Sequence, residues 1–286
     1  YSRFLSVRKG DFEVVLGNQS KISLDTKCEF GYELQLLIPY AYYLHKNNLL
    51  EKTTSCKFTN ELYYFSKNHE QLHNLRISVM EIKNIPNPSP HVEELNYDKY
   101  IPPPYKLIYK NDFFVYDKPL LIIHNKFNDE WGMGPINFID VDTLAKIFNL
   151  LNNKYTIIYI RPKSNYICED RSSIKDLNES HLFQLYNIID GLKLYQETRK
   201  KYNINNYNHF QLLIHSNCNH FISVQGGNSV IASYFGGTNI IYARAGNELG
   251  CNSYNTHYKK YSNCNVLHAN NYTDFIKLIE NKFLTL

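Results

Sequence analysis

Apolar positions set most of the pattern. Leu34, Leu37, Ile38, Ala41, Tyr42 and Leu44 recur at helical spacing and predict one helix face in a stretch running to Leu50. Pro39 lies inside that stretch and is expected to kink it or mark a restart. Ahead of it, Phe12–Leu16 and Lys21–Leu24 alternate weakly and read as short strands. After it, residues 53–66 read as a loop followed by a strand. The first third therefore reads strand, glycine turn at Gly31, helix, strand, which is a βαβ unit.

Pro86, Pro88, Pro90 and the run Pro102-Pro103-Pro104 interrupt the pattern. Proline fixes φ and removes backbone donors, so this segment reads as an extended approach to a domain boundary. Beyond it, Pro119-Leu-Leu-Ile-Ile123 is continuously apolar, as a buried parallel strand should be. A polar loop, His124 to Gly132, follows. Thr143–Leu151 reads as a helix capped by Asp140 or Asp142, and Tyr155–Ile160 as the next strand. Leu182–Ile189 reads as a strand and Leu192–Lys201 as a helix. Phe221–Val224, Val230–Phe235 and Asn239–Ala243 read as strand, helix and strand, and residues 273–284 as a terminal amphipathic helix. Two successive βα halves predict an α/β fold with two Rossmann-like domains facing across a cleft. The expected division is 1–115, 116–270 and a terminal helix, 271–286, packing back on the N-terminal domain.

Composition narrows the functional classes. The chain has 286 residues, with 43% hydrophobic and 20% charged, which is globular. No apolar run reaches the ~18 residues of a membrane span. A net charge of +4 on 31 basic and 27 acidic residues is too mild for a nucleic-acid protein. Six cysteines form no C-x-x-C pair, so free thiols in a reducing compartment are expected. The 25 Tyr and 35 Asn, like the many Lys and Ile, suit an A/T-rich genome. The chain starts at Tyr1 rather than Met and reads as trimmed.

The strongest chemical signal is Val224-Gln-Gly-Gly-Asn-Ser229, a strand delivering two glycines to a helix start. Glycine lets backbone N–H groups approach a ligand closely, and the helix start adds orphan donors, so a diphosphate fits. Gln225, Gly226, Gly227, Asn228 and Ser229 are the candidates. The match to a dinucleotide fingerprint is poor: there is no G-x-G-x-x-G, although Glu248 lies where a ribose-binding acid belongs. Asn125, Lys126, Glu130 and Trp131 leave the end of a buried strand, and Arg161 follows the next one. Lys126 and Arg161 suit phosphate, Glu130 suits hydroxyls, and all share the carboxyl-end edge of one inferred sheet. Glu29 and Glu33 flank the Gly31 turn and are candidate general bases, Glu33 first. Asp140-Val-Asp142 is a D-x-D that could hold a divalent cation or simply cap a helix. His215 and His220 beside Cys218 make a poor zinc site, and no G-x-S-x-G is present.

The stretch Phe221-Ile-Ser-Val-Gln-Gly-Gly-Asn-Ser-Val-Ile-Ala-Ser-Tyr-Phe-Gly-Gly-Thr-Asn-Ile-Ile-Tyr242 resembles the donor-binding region of GT-B-type glycosyltransferases. Glu29–Leu34 with Ile38–His45 looks like the first βα turn of their acceptor domain. His124–Trp131 and Tyr159–Pro162 are similar to stretches in glycosyltransferase-like proteins of algae and large DNA viruses. The resemblance touches about a third of the chain in pieces. It implies a minimal GT-B-like enzyme moving a hexosyl or pentosyl group from a UDP- or GDP-linked sugar to a glycan or other hydroxyl acceptor. No metal or other cofactor would be required, and the cytoplasm, a host's if the source is viral, is the expected location. The chain is short for that fold and lacks the H-x-R-x-x-D of fucosyltransferases, which leaves a fucosyl donor unsupported. The alternatives are a metal-dependent GT-A enzyme using Asp140 and Asp142, a nucleotide-sugar epimerase or pyruvyl transferase, and a non-enzymatic carbohydrate-binding protein.

Overall fold

The computed structural model describes residues 21–78, 85–87, 89, 97–161 and 163–285. The strand expected at Phe12–Leu16 lies outside the described residues, as do parts of the proline-rich segment. The chain is mixed α/β and builds two parallel sheets. A small one comprises β1 (Ile22–Asp25), β2 (Leu50–Cys56) and β3 (His69–His73), in that order. A larger one comprises β4 (Leu120–His124), β5 (Thr156–Ile160), β6 (Ile189–Asp190), β7 (His220–Val224), β8 (Thr238–Tyr242) and β9 (Asn265–Ala269).

The larger sheet runs β6-β5-β4-β7-β8-β9. The chain steps outward from β4 to β6, then returns to the other side of β4 and steps outward again. This is the doubly wound order, and its reversal point lies between β4 and β7. In such sheets the loops leaving the two reversal strands diverge to opposite faces and leave a crevice at the carboxyl edge.

Alternate strand residues feed two cores. Ile122, Ile158, Phe221 and Ile241 join a core that continues through Leu34, Leu37 and Ile38 into the small-sheet half. Leu121, Ile123, Ile157, Ile222 and Ile240 face the other way, onto Leu144, Ile147 and Phe148 and onto Phe275, Ile279 and Phe283 of the C-terminal helical segment. Every residue of β4 is buried, which accounts for its unbroken apolar run.

Tyrosine and asparagine have structural work here. Tyr105 donates to Leu62 O at 2.7 Å and Tyr234 to Leu34 O at 2.5 Å, tying the larger sheet's side of the core to the small-sheet side. Six of the nine described non-glycine residues with positive φ are Asn, which tolerates the left-handed region.

Several expected elements are revised. Leu182–Ile189 is not a strand: His181–Tyr186 is helical, ends at Asn187 in the left-handed conformation (φ 55°), and only Ile189–Asp190 is extended. Within 53–66 the order is reversed, with β2 first and turns after Cys56. Pro39 marks the expected restart: the α-helix Ile38–Lys46 begins with it in the first turn. The turn before it, Glu33–Leu37, widens to a π-helical turn in which Ile38 N–H bonds Glu33 O. A widened turn accommodates a residue that brings no N–H of its own.

Gly237 (φ 67°) sits at the entrance to β8. A Cβ there would lie 2.1 Å from Asn219 O and 2.7 Å from Asn219 C, both backbone atoms that cannot swing aside. Gly237→Ala is expected to cost more than about 2 kcal/mol, seen as a lower denaturant midpoint at unchanged slope. An unaltered midpoint would contradict this.

Candidate functional site

A cleft of about 600 Å³ opens where the reversal point predicts it. The loops after β4, β5 and β7 form one wall, and Arg76 with the helical turn Phe30–Tyr32, in which Gly31 is helical rather than the expected glycine turn, forms the other. Gly31 and Gly227 make the floor: a Cβ built on Gly227 would stand 3.4 Å from Gly31 N and 2.9 Å from the Phe30 ring. A side chain at Gly227 would collide with the Phe30 ring, whereas a Cβ on Gly31 would meet Gly227 at an ordinary 3.7 Å.

Lys126 is the central cation. Its Nζ donates to Glu130 Oε2 at 3.0 Å and Gln225 Oε1 at 3.1 Å. Burial pushes its pKa down, and Glu130 opposes that shift. Gly226 (φ 120°) lies beside it, with Nζ only 3.4 Å from where a Cβ would stand. Glu130 also accepts from Asn137 N (2.8 Å) and Asn137 Nδ2 (2.9 Å). Gln225 Nε2 donates to both oxygens of Glu248, at 3.0 and 2.9 Å. A buried chain of Glu248, Gln225, Lys126 and Glu130 therefore fixes the ammonium at the cleft wall. Glu248 thus supports Gln225 from behind and does not line the cleft.

Of the residues singled out above, Glu29, Asn125, Lys126, Glu130, Arg161, Gln225, Gly226, Gly227 and Asn228 all line this one cleft. Glu33 does not. It is fully buried, pairs with Arg76 at 2.7 Å, accepts from Tyr63 at 2.9 Å and is also bonded by Ser55. A general base must reach its substrate, so the structure corrects the first choice of base and leaves Glu29, exposed on the cleft wall. Ser229 is likewise buried, its Oγ turned back to Gly226 O at 2.8 Å. Arg161 lines the cleft, but its guanidinium is engaged: Nε and Nη2 hold Glu179 at 2.5 and 3.0 Å, and Nη1 donates to Lys175 O at 3.0 Å. It anchors residues 175–179. Asn125 is also saturated, donating to Ile139 O and the Tyr159 hydroxyl and accepting from Lys126 N and Ile139 N.

Arg76 was not singled out from the sequence. It is 4% exposed, donates to Cys28 O at 2.9 Å and stacks over the Phe30 ring at 5.1 Å. Burial alone would lower its pKa, but the Glu33 carboxylate overrides burial and raises it. No local motif marks it, because its partners come from other elements. Cys168 also reaches the cleft, and the neighbouring Cys56 thiol and the Arg76 guanidinium lower its pKa.

At the end of β4, His124 and His215 are both fully buried, with their Nε2 atoms 2.6 Å apart. His215 Nδ1–H donates to Gln211 O at 2.5 Å, so His215 Nε2 accepts from His124. Burial pushes His124 well below the usual histidine range and His215 down to about 3. Both are neutral when folded and protonate more readily when unfolded. Stability is therefore full above pH ~6.5 and falls as pH drops below it, by up to about 1.4 kcal/mol per pH unit for each histidine that stays neutral in the fold. Denaturant midpoints at pH 7, 6 and 5 check this; equal midpoints would contradict it.

Asp140 caps the helix Val141–Leu151, its side chain accepting from Thr143 N at 2.7 Å, and neither Asp140 nor Asp142 lines the cleft. Among the described residues, no group of three or more His, Cys, Asp or Glu side chains gathers to hold a metal. No helix among them is long and apolar enough to cross a membrane.

No protein-family model matches the chain, and no curated protein matches it. A solved structure, the crystal structure of the glycosyl transferase family 9 from Veillonella parvula DSM 2008, is similar over 92% of this chain and 88% of that one. The two are 8% identical, with a TM-score of 0.47.

Proposed function

We propose that the chain is a metal-independent glycosyltransferase of GT-B-like organisation, with residues 1–115 on the acceptor side and 116–270 on the donor side. The donor is a UDP- or GDP-linked hexose or pentose, and the acceptor is a glycan or other hydroxyl. The observation that carries this reading is the cleft at the β4/β7 reversal point, with the fixed ammonium of Lys126 set against the glycine turn at Gly226 and Gly227. A diphosphate there takes charge compensation from Lys126 and hydrogen bonds from the first-turn N–H groups of Gly227 and Asn228. Asn228 lines the same stretch of wall.

As the bond to the sugar breaks, negative charge grows on the leaving nucleoside diphosphate. A cation already held in place stabilises that charge without reorganising. Glu29, across the cleft, takes the proton of the attacking hydroxyl in an inverting reaction.

The test is release of nucleoside diphosphate from a panel of UDP- and GDP-sugars, with and without mixed glycan acceptors, each run with and without EDTA. Acceptor-dependent release with one donor is expected. No release from any donor, or release that EDTA abolishes, would contradict the reading.

A further inference from the structure

Three described non-glycine residues other than Asn have a left-handed backbone: Phe58, Trp131 and Arg171. Two of them, Trp131 and Arg171, line the cleft. Bulky side chains are disfavoured in that conformation, and such residues persist where the surroundings impose it. Trp131 (φ 53°) and Gly132 (φ 75°) are the two central residues of a tight turn closed by Met133 N donating to Glu130 O at 2.9 Å. Asn and Gly ordinarily fill both central positions of such a turn. Here the first holds the only tryptophan of the chain, 58% exposed.

The turn stands on a fixed base. Glu130 is held from one side by Lys126 and Asn137. From the other side, Lys175 N donates to Phe127 O at 2.7 Å, and Lys175 Nζ pairs with Asp129 at 2.6 Å. Residues 170–174 therefore run beside the Trp131 loop as one rim, which carries Arg171 as a donor and Asp170 as an acceptor.

We infer that Trp131 is a stacking platform for a pyranose ring of the acceptor saccharide where it reaches across the cleft onto the donor-side half, an assignment that rests on the transferase reading. An exposed indole face covers the C–H face of a sugar ring, while the rim's guanidinium and carboxylate serve its hydroxyls. The exposed charges of Asp170 and Arg171 offset one another, so the rim offers no net attraction for a polyanion and suits a neutral saccharide.

The single tryptophan reports on this position directly. The intact chain is titrated with methyl glycosides of glucose, galactose, mannose and N-acetylglucosamine, and with cellotetraose and chitotetraose, while its emission is followed. A saturable change with at least one saccharide is expected. Calorimetry on Trp131→Ala should show that saccharide bound about tenfold or more weakly, and Trp131→Tyr should retain most of the affinity. Affinity for UDP or GDP should be unchanged in both variants. An emission change caused by UDP or GDP and by no saccharide would overturn the assignment, because the base would then occupy the platform. Saccharide binding indifferent to Trp131→Ala, or no saccharide response at all, would also overturn it. Nucleoside diphosphate binding tests the transferase reading separately: its loss would sink that reading, whereas its presence without a saccharide response sinks only the platform.

Discussion

Arg76→Met is expected to destabilise the chain by about 3–5 kcal/mol, because it strands the Glu33 carboxylate in the core without its counter-charge. Both side chains are almost fully buried, Arg76 at 4% and Glu33 at 0%. Tyr63 and Ser55 still bond Glu33, but they are neutral and do not replace a guanidinium at 2.7 Å. The double variant Arg76→Met/Glu33→Gln removes both charges and should recover much of the loss. The two substitutions should therefore couple by well over 1 kcal/mol in a double-mutant cycle of denaturant unfolding. Additive losses would mean that the pair does not act as a unit.

Lys126→Met is expected to lower the rate of sugar transfer by about 10²–10³, the usual effect of removing one preorganised group that meets growing charge. Glu130 keeps both bonds from Asn137, and Gln225 keeps Asn137 and Glu248, but the Glu130 carboxylate loses its counter-charge. The cost in stability should be about 1–3 kcal/mol, less than for Arg76 because the Lys126 side chain is 21% exposed. Steady-state kinetics beside a denaturant curve separates the two effects. A transfer rate within a fewfold of the unaltered chain would remove Lys126 from the site.

The larger sheet was legible because its strands are short apolar runs, and β4, β5, β7 and β8 fall within a residue or two of the expected places. That the glycine turn and Lys126 share one cleft followed from placing both at the carboxyl ends of such strands. The small sheet was harder to read. β3 is His-Glu-Gln-Leu-His, a largely polar sequence on the sheet's edge, and its pairing comes from the backbone. The Leu- and aromatic-rich stretch Leu182–Ile189 reads as a strand, yet the left-handed Asn187 closes His181–Tyr186 as a helix. Glu33 and Glu29 look equivalent around Gly31, and only the arrival of Arg76 from beyond β3 separates a buried ion pair from an exposed cleft carboxylate. Arg161 looks like a phosphate ligand until Glu179 occupies its fork. In each case the deciding contact is tertiary and leaves no local pattern.

The most direct test of the central claim is calorimetric titration of the chain with UDP and GDP in EDTA, run in parallel on Lys126→Met. One diphosphate should bind saturably to the unaltered chain and about tenfold or more weakly to the variant, the loss of one charge-assisted contact. No binding of either, or equal binding to both proteins, would contradict the assignment of this cleft to a nucleotide-diphosphate sugar.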